Sequence, residues 1–227
     1  MGDVIEVPSN GDTVPAYLAE PESGSGPGLV VIQEWWGLVP HIEDVCDRLA
    51  AEGFVALAPD LYHGESTTEP DEAGKLMMGL RLEQALKDMG GAADTLAERT
   101  DGGKVGVIGF CMGGGLALLL AAHRPDVVGA CVPFYGAIPW EGAAPDWSGM
   151  EAPVQAHVGT RDEWALGFVN ELAPKLQELG KEIEIFTYED ADHAFFNDDR
   201  PEVYHEEAAT SAFQRAVAFL HEHLDAE

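Results

Sequence analysis

Residues 107–122 read VIGFCMGGGLALLLAA. Together with Lys104–Gly106 ahead of it, the first part has strand character, and the part from Gly113 onward is an apolar helical run. Between them, Gly109-Phe110-Cys111-Met112-Gly113 has the shape of a nucleophile elbow. In such an elbow a strand turns sharply into a helix, glycines at both flanks let neighbouring backbone approach, and the central side chain stands exposed above a sheet. A cysteine holds the place where serine is usual. A thiol at a helix N-terminus also feels the positive end of the helix dipole, which favours the thiolate. Taken alone, the pentapeptide is equally readable as a glycine-rich turn carrying a small apolar residue, so the rest of the chain decides.

Outward from this turn, strands and helices alternate. Upstream, two short strands flank Asn10-Gly11, a dipeptide suited to a tight hairpin. The continuous apolar run Leu29–Ile32 suits a strand buried on both faces. Residues 41–52 place Ile42, Val45, Cys46 and Leu49 on one helical face, with Gly53 as a stop. A strand in FVALAPDLY, a helical region over 71–98 interrupted by glycines, the elbow, and a strand in VVGACVPFYG follow. After a Pro/Gly/Trp-rich loop over 137–153, a candidate lid, come a strand in VQAHVGTRDE, a helix over 164–179, a last strand before EDADHAFF, and a closing helix over 201–224. This alternation predicts an α/β fold with a mainly parallel sheet, helices on both faces and an N-terminal hairpin. No internal repeat or composition break divides residues 1–227, so one domain is expected. Ligand sites in such sheets lie beyond the carboxyl ends of the strands, which directs attention to Glu34, Asp60, Cys111, Tyr135, Asp162 and His193.

Chain order narrows that set. In hydrolases with this elbow the nucleophile is followed by an acid and then by a histidine, and Cys111, Asp162 and His193 stand in that order. The histidine must reach the thiol, and the carboxylate must hold the imidazole tautomer. Asp190 and Asp192 are rival orienters, but near sequence neighbours of a loop histidine tend to point away from its ring. His157, inside an apolar strand, reads as a core residue. His221 and His223 are two apart on a helix, hence on different faces, and read as solvated.

Four motifs now stand in order: QEWWG (33–37), GFCMGG (109–114), GTRDE (159–163) and DADHAF (190–195). With them the chain resembles the dienelactone hydrolase family over nearly its whole length. The resemblance implies an α/β-hydrolase fold and a Cys111–Asp162–His193 triad. It gives Glu34 a part in activating the cysteine, and the backbone N–H groups of Trp35 and Met112 the role of oxyanion hole. The implied reaction is hydrolysis of an activated ester or lactone through a thioester on the cysteine. Family members hold a substrate carboxylate with arginines, one of them four residues beyond the histidine. Here that position is Asn197, and Arg81 is the other candidate cation. Arg81, Trp36, Tyr135 and Asn197 are the candidate substrate contacts, while Trp35, Trp140 and Trp147 are further aromatic candidates for the pocket wall. The same triad would serve an acyltransferase, and a binding protein on this fold is the non-catalytic alternative.

Composition adds exclusions. There are 41 Asp and Glu against 12 Lys and Arg, a formal net charge of −29. Nucleic acid is excluded as a partner, since phosphate binding needs a basic footprint. No apolar run of about 18 residues suggests a membrane span, and the first residues lack a signal-peptide pattern, so a soluble cytoplasmic protein acting on a small molecule is expected, with no oligomeric state read from the chain. Three cysteines with no CxxC spacing fit free thiols, a resolving partner for a redox switch is lacking, and no metal or cofactor is called for. The acids are spread along the chain. At molar salt, where the Debye length is about 3 Å, their repulsion is largely screened. Salt adaptation is the resulting hypothesis: Tm is expected to rise when KCl goes from tens of millimolar to molar, and a Tm highest in the dilute buffer would overturn it.

Overall fold

The computed structural model describes residues 2–9, 11–100 and 103–225. Eight strands form one sheet: β1 (Asp3–Ser9), β2 (Asp12–Ala19), β3 (Gly28–Ile32), β4 (Val55–Pro59), β5 (Val105–Phe110), β6 (Val128–Phe134), β7 (Val154–Gly159) and β8 (Ile183–Tyr188). Six α-helices accompany them among the described residues: α1 (Pro40–Ala51), α2 (Pro70–Gly79), α3 (Leu82–Arg99), α4 (Met112–His123), α5 (Glu163–Glu178) and α6 (Glu206–Leu224). The sheet order is β1-β2-β4-β3-β5-β6-β7-β8. Only the β1–β2 and β2–β4 pairs are antiparallel, and every pair from β4 to β8 is parallel.

This is the expected α/β architecture, and burial explains its sequence signature. Every residue of β3, β4, β5 and β7 is buried, which is why those strands read as apolar runs without alternation. One core cluster joins Ile42, Val45, Cys46 and Leu49 of α1 to Ala212, Ala216 and Leu220 of α6 across Val31, Ile108 and Val132. The other gathers Met89, Ala92 and Leu96 of α3 with Leu116–Leu120 of α4 over Val30, Val107 and Cys131. The two clusters lie on opposite faces of the sheet, as the period of two along each strand requires. Helix α4 is apolar all round because it is enclosed all round: residues 112–121 are buried without exception.

The differences from the expectation have local causes. The 71–98 region is two helices, broken at Leu80–Arg81 just beyond Gly79. Gly90 and Gly91 do not break α3. A Cβ on Gly91 would lie 1.7 Å from the carbonyl oxygen of Pro8, so the glycine lets α3 rest against β1. The closing helix begins at Glu206 because His205 is its N-cap, Nδ1 accepting from the Ala208 N–H at 3.3 Å. Of the hairpin turn, Asn10 lies outside the described residues, and Gly11 takes φ 90°. His221 is not simply solvated: it stacks on Phe54 at 4.4 Å and its Nε2 lies 3.0 Å from the Glu52 carbonyl oxygen, tying α6 to the end of α1. The 137–153 loop carries a buried Met150 and Ala152, and Trp140 Nε1 donates to the Met77 carbonyl of α2 at 3.0 Å. Among the described residues no helix is long and apolar enough to cross a membrane.

The Gly91 contact is testable. Alanine has the better helix propensity by about 1 kcal/mol, yet the backbone clash with β1 outweighs it. Gly91→Ala is expected to lower stability by about 1–3 kcal/mol net, read from urea unfolding, and a stabilised variant would show that α3 does not depend on this approach.

Candidate active site

The carboxyl ends of β3, β5, β6, β7 and β8 are neighbours along the sheet, and each releases one of the residues singled out from the sequence: Glu34, Cys111, Tyr135, Asp162 and His193 in turn. Cys111 is held at φ 55°, ψ −116° between β5 and α4. Its N–H donates to the Phe134 carbonyl at 3.0 Å and its own carbonyl accepts from Gly114 at 3.0 Å. A Cβ on Gly113 would stand 2.4 Å from the Ile32 carbonyl oxygen and one on Gly109 2.0 Å from that of Gly113. The elbow is therefore as tight as its glycines imply.

Asp162 divides its two oxygens. As N-cap of α5, Oδ1 accepts from the Ala165 N–H at 3.0 Å, while Oδ2 lies 2.6 Å from His193 Nδ1. The carboxylate is buried and can only accept, so Nδ1 carries a hydrogen and Nε2 is left for the thiol. Burial works against the imidazolium, but the hydrogen bond to Asp162 and the nearby Cys111 sulfur outweigh it, and the His193 pKa is pushed up to about 10. The rival carboxylates are engaged elsewhere: Arg161 pairs with Asp190 at 2.8 Å and with Asp192 at 3.7 Å. His157 is a core residue, bonded to Tyr188 Oη at 2.8 Å, its pKa pushed down to about 3 by burial and the neighbouring Arg215. Asp60 closes its own loop, accepting from Tyr62 and Gly64 N–H groups.

A pocket of about 340 Å³ opens over Cys111 and His193, walled by Trp35, Trp36, Trp164 and Met77, with Glu34, Asp162 and Arg200 also on its surface. Of the expected oxyanion donors, Trp35 lies on this wall, and Met112 is the first residue of α4, whose leading N–H groups have no acceptor within the helix. Two expected substrate contacts sit behind the pocket instead. Tyr135 is fully buried and its hydroxyl donates to Glu34 Oε1 at 3.3 Å; Asn197 is 2% exposed and its Nδ2 donates to Glu34 Oε2 at 2.7 Å. Both hold Glu34 and do not line the pocket. Arg81 is not part of the site either. It caps α3 in a separate groove of about 580 Å³ with Ser9, His63 and Gln84, where α2 presents Lys75, Leu76 and Gly79, whereas Met77 of the same helix faces the triad. Trp140 and Trp147 line a third groove, of about 240 Å³. The sequence reading missed Arg200 and Trp164. Arg200 lies seven residues past His193, its guanidinium 5.4 Å from the Trp36 ring centroid and 2.8 Å from Glu202. Its direction depends on a turn over 197–200 that has no period to read. No group of three or more His, Cys, Asp or Glu residues suited to a metal occurs among the described residues.

The model of the dienelactone hydrolase family matches residues 14–224. The chain belongs to this family. It is 39% identical over 237 residues to the protein named usf of Aquifex pyrophilus, covering 99% of this chain and 100% of that one. It is 35% identical, with the same coverage, to an Aquifex aeolicus protein named as a candidate carboxymethylenebutenolidase. A solved Klebsiella pneumoniae structure described as a candidate dienelactone hydrolase superposes with a TM-score of 0.87 at 32% identity, covering 98% of this chain and 99% of that one. As a dienelactone hydrolase family member with this site, the chain is a carboxylic ester hydrolase acting on ester or lactone bonds.

The raised His193 pKa sets the sign of a pH effect. A histidine whose folded-state pKa lies above the unfolded value of about 6.5 contributes stability in full below that value and loses it as pH rises through the folded pKa. The stability advantage of wild type over His193→Gln is therefore expected to be full at pH 6 and to shrink steadily toward pH 10. Urea unfolding of both proteins across that range checks it, and a gap that widened with pH would contradict the Asp162–His193 assignment.

Proposed function

We propose that this hydrolase works through Cys111 as nucleophile and a thioester acyl-enzyme, on esters or lactones that carry a carboxylate. The observation that carries the reading is the strained Cys111 backbone, which stands the thiol in the pocket beside the His193–Asp162 pair. The Cys111 thiolate adds to the carbonyl carbon, and the N–H groups of Met112 and Trp35 hold the oxyanion. The C–O bond then breaks, the leaving oxygen takes the proton of the His193 imidazolium, and the acyl group remains on sulfur. His193, now neutral, takes a proton from water as its oxygen attacks the thioester, and collapse expels the thiolate and frees the acid. Asp162 holds the ring in one tautomer throughout. Glu34, which shares the pocket surface with Cys111, takes the thiol proton when substrate enters and returns it to the sulfur once the thiolate has been expelled.

The carboxylate preference rests on Arg200. Among the described residues it is the cation on this pocket besides the catalytic His193, and the Trp36 face beside it favours a planar, conjugated ligand. The name of the Aquifex aeolicus relative, a carboxymethylene group on a butenolide ring, describes a lactone of that kind. Asn197, where the family resemblance implies an arginine, is occupied with Glu34, and Arg200 supplies the charge from three residues further on.

Two esters with one leaving group test this: 4-nitrophenyl acetate and 4-nitrophenyl hydrogen glutarate. Cys111→Ala is expected to lower kcat/KM on both by about 10⁴-fold or more. Arg200→Gln is expected to raise KM for the glutarate ester by about 10- to 100-fold, the worth of a charge-assisted hydrogen bond, and to leave the acetate nearly unchanged. Retained turnover in Cys111→Ala removes the cysteine from the chemistry. Equal loss on both esters for Arg200→Gln removes the carboxylate preference.

A further inference from the structure

The turn over 197–200 sends three side chains in three directions. Asn197 points inward to Glu34, Arg200 to the pocket, and Asp198 back to α1. Asp198 Oδ1 lies 3.2 Å from His41 Nδ1 and Oδ2 lies 3.6 Å from Arg48. The turn is stiff within itself: Asn197 Oδ1 accepts from the Asp199 N–H at 3.1 Å and the Asn197 carbonyl accepts from the Arg200 N–H at 3.1 Å. These bonds tie Asp198 to both Asn197 and Arg200 within one turn.

His41 is the telling partner. Its side chain is 2% exposed, and its other nitrogen, Nε2, is buried with no hydrogen-bond partner among the described residues. An apolar side chain would fill the same space without stranding a polar atom. What the imidazole adds is an Nδ1 hydrogen for a carboxylate that is 44% exposed and would otherwise turn to water. His41 stands at the start of α1, only a few residues beyond Glu34, Trp35 and Trp36, so the contact joins that segment to the Asn197–Arg200 turn. Arg48 completes the clasp, its guanidinium 4.8 Å from the Phe196 ring centroid and 4.9 Å from that of Phe213.

We propose that Asp198, clasped by His41 and Arg48, is a positioning residue: it sets the turn that aims Arg200 at the substrate carboxylate and Asn197 at Glu34. The proposal rests on the role given above to Arg200. It assigns to Asp198 and His41, neither of which touches the pocket, a share in substrate selectivity.

The test is the same ester pair on Asp198→Ala, Asp198→Asn and His41→Leu, with Tm and glutarate binding by tryptophan quenching measured alongside. Asp198→Ala is expected to raise KM for 4-nitrophenyl hydrogen glutarate by about tenfold, to lower kcat severalfold on both esters, and to leave KM for the acetate unchanged. Asp198→Asn keeps an oxygen for the His41 Nδ1 hydrogen and is expected to recover most of the loss. His41→Leu removes the stranded nitrogen, so Tm should hold or rise while the glutarate KM worsens as in Asp198→Ala. A merely structural contact predicts the opposite pattern, both esters falling together with Tm, and that result overturns the proposal, as do wild-type constants in Asp198→Ala. Should wild type turn over neither ester, the hydrolytic reading of the site fails for these substrates, and glutarate binding still decides the clasp. Binding about tenfold weaker in Asp198→Ala and His41→Leu supports it; unchanged binding overturns it.

Discussion

The backbone at Cys111 occupies φ 55°, ψ −116°, a conformation that costs a residue with a Cβ about 1–3 kcal/mol and persists only where its surroundings over-determine it. The surroundings here are the ends of three adjacent strands. β6 accepts the Cys111 N–H through Phe134, β3 lies against Gly113 through the Ile32 and Gln33 carbonyls, and β5 delivers the residue itself. The same three strand ends carry Glu34 and Tyr135, so the contacts that hold the strain also bring the buried carboxylate and its phenol to Cys111. Asp162 and His193 arrive by extension of the same parallel sheet through β7 and β8.

How far this was legible follows from the range of the interactions involved. Strands buried on both faces announce themselves as apolar runs, and the elbow announces itself because only glycine tolerates carbonyl oxygens 2.0–2.4 Å from a Cβ position. Asp162 could be preferred over Asp190 and Asp192 because topology, set by the parallel sheet, brings strand ends together while local neighbours diverge. What lay beyond reading were directions set by irregular backbone. Asn197 and Arg200 are three residues apart, yet one points at Glu34 from behind and the other into the pocket. Nothing periodic encodes that difference. Arg81 was misplaced for the same reason: α2 and α3 join at an extended break that carries it away from the triad.

Three thiols illustrate how environment separates chemistry from packing. Burial raises the pKa of Cys46 and of Cys131 and leaves both as small apolar residues in the two cores. Cys111 is half-buried on the pocket surface beside His193, whose pKa is pushed up to about 10. The distinction is one of access and a paired base, not of residue type. The buried carboxylates obey a similar rule: Asp162 and Glu34 keep their place because each oxygen has a donor assigned to it, helix cap and imidazole for one, phenol and amide for the other.

A net charge of −29 and the proposed preference for a substrate carboxylate pull in opposite directions, and magnitudes resolve the conflict. One surface carboxylate about 20 Å away repels an anionic ligand by only about 0.2 kcal/mol in water, but many such terms add to several kcal/mol when unscreened. At molar ionic strength they are largely screened beyond about 3 Å, while the proposed charge-assisted hydrogen bond to Arg200, about 1.5–3 kcal/mol, survives because it acts at contact. Salt thus removes the opposition and spares the attraction. If Arg200 holds a substrate carboxylate as proposed, an anionic ester is expected to bind better in concentrated salt than in dilute buffer, the reverse of what a cationic surface steering its ligand from a distance would do. The acidity of the shell and the arginine in the pocket are compatible only because one works over the Debye length and the other within it.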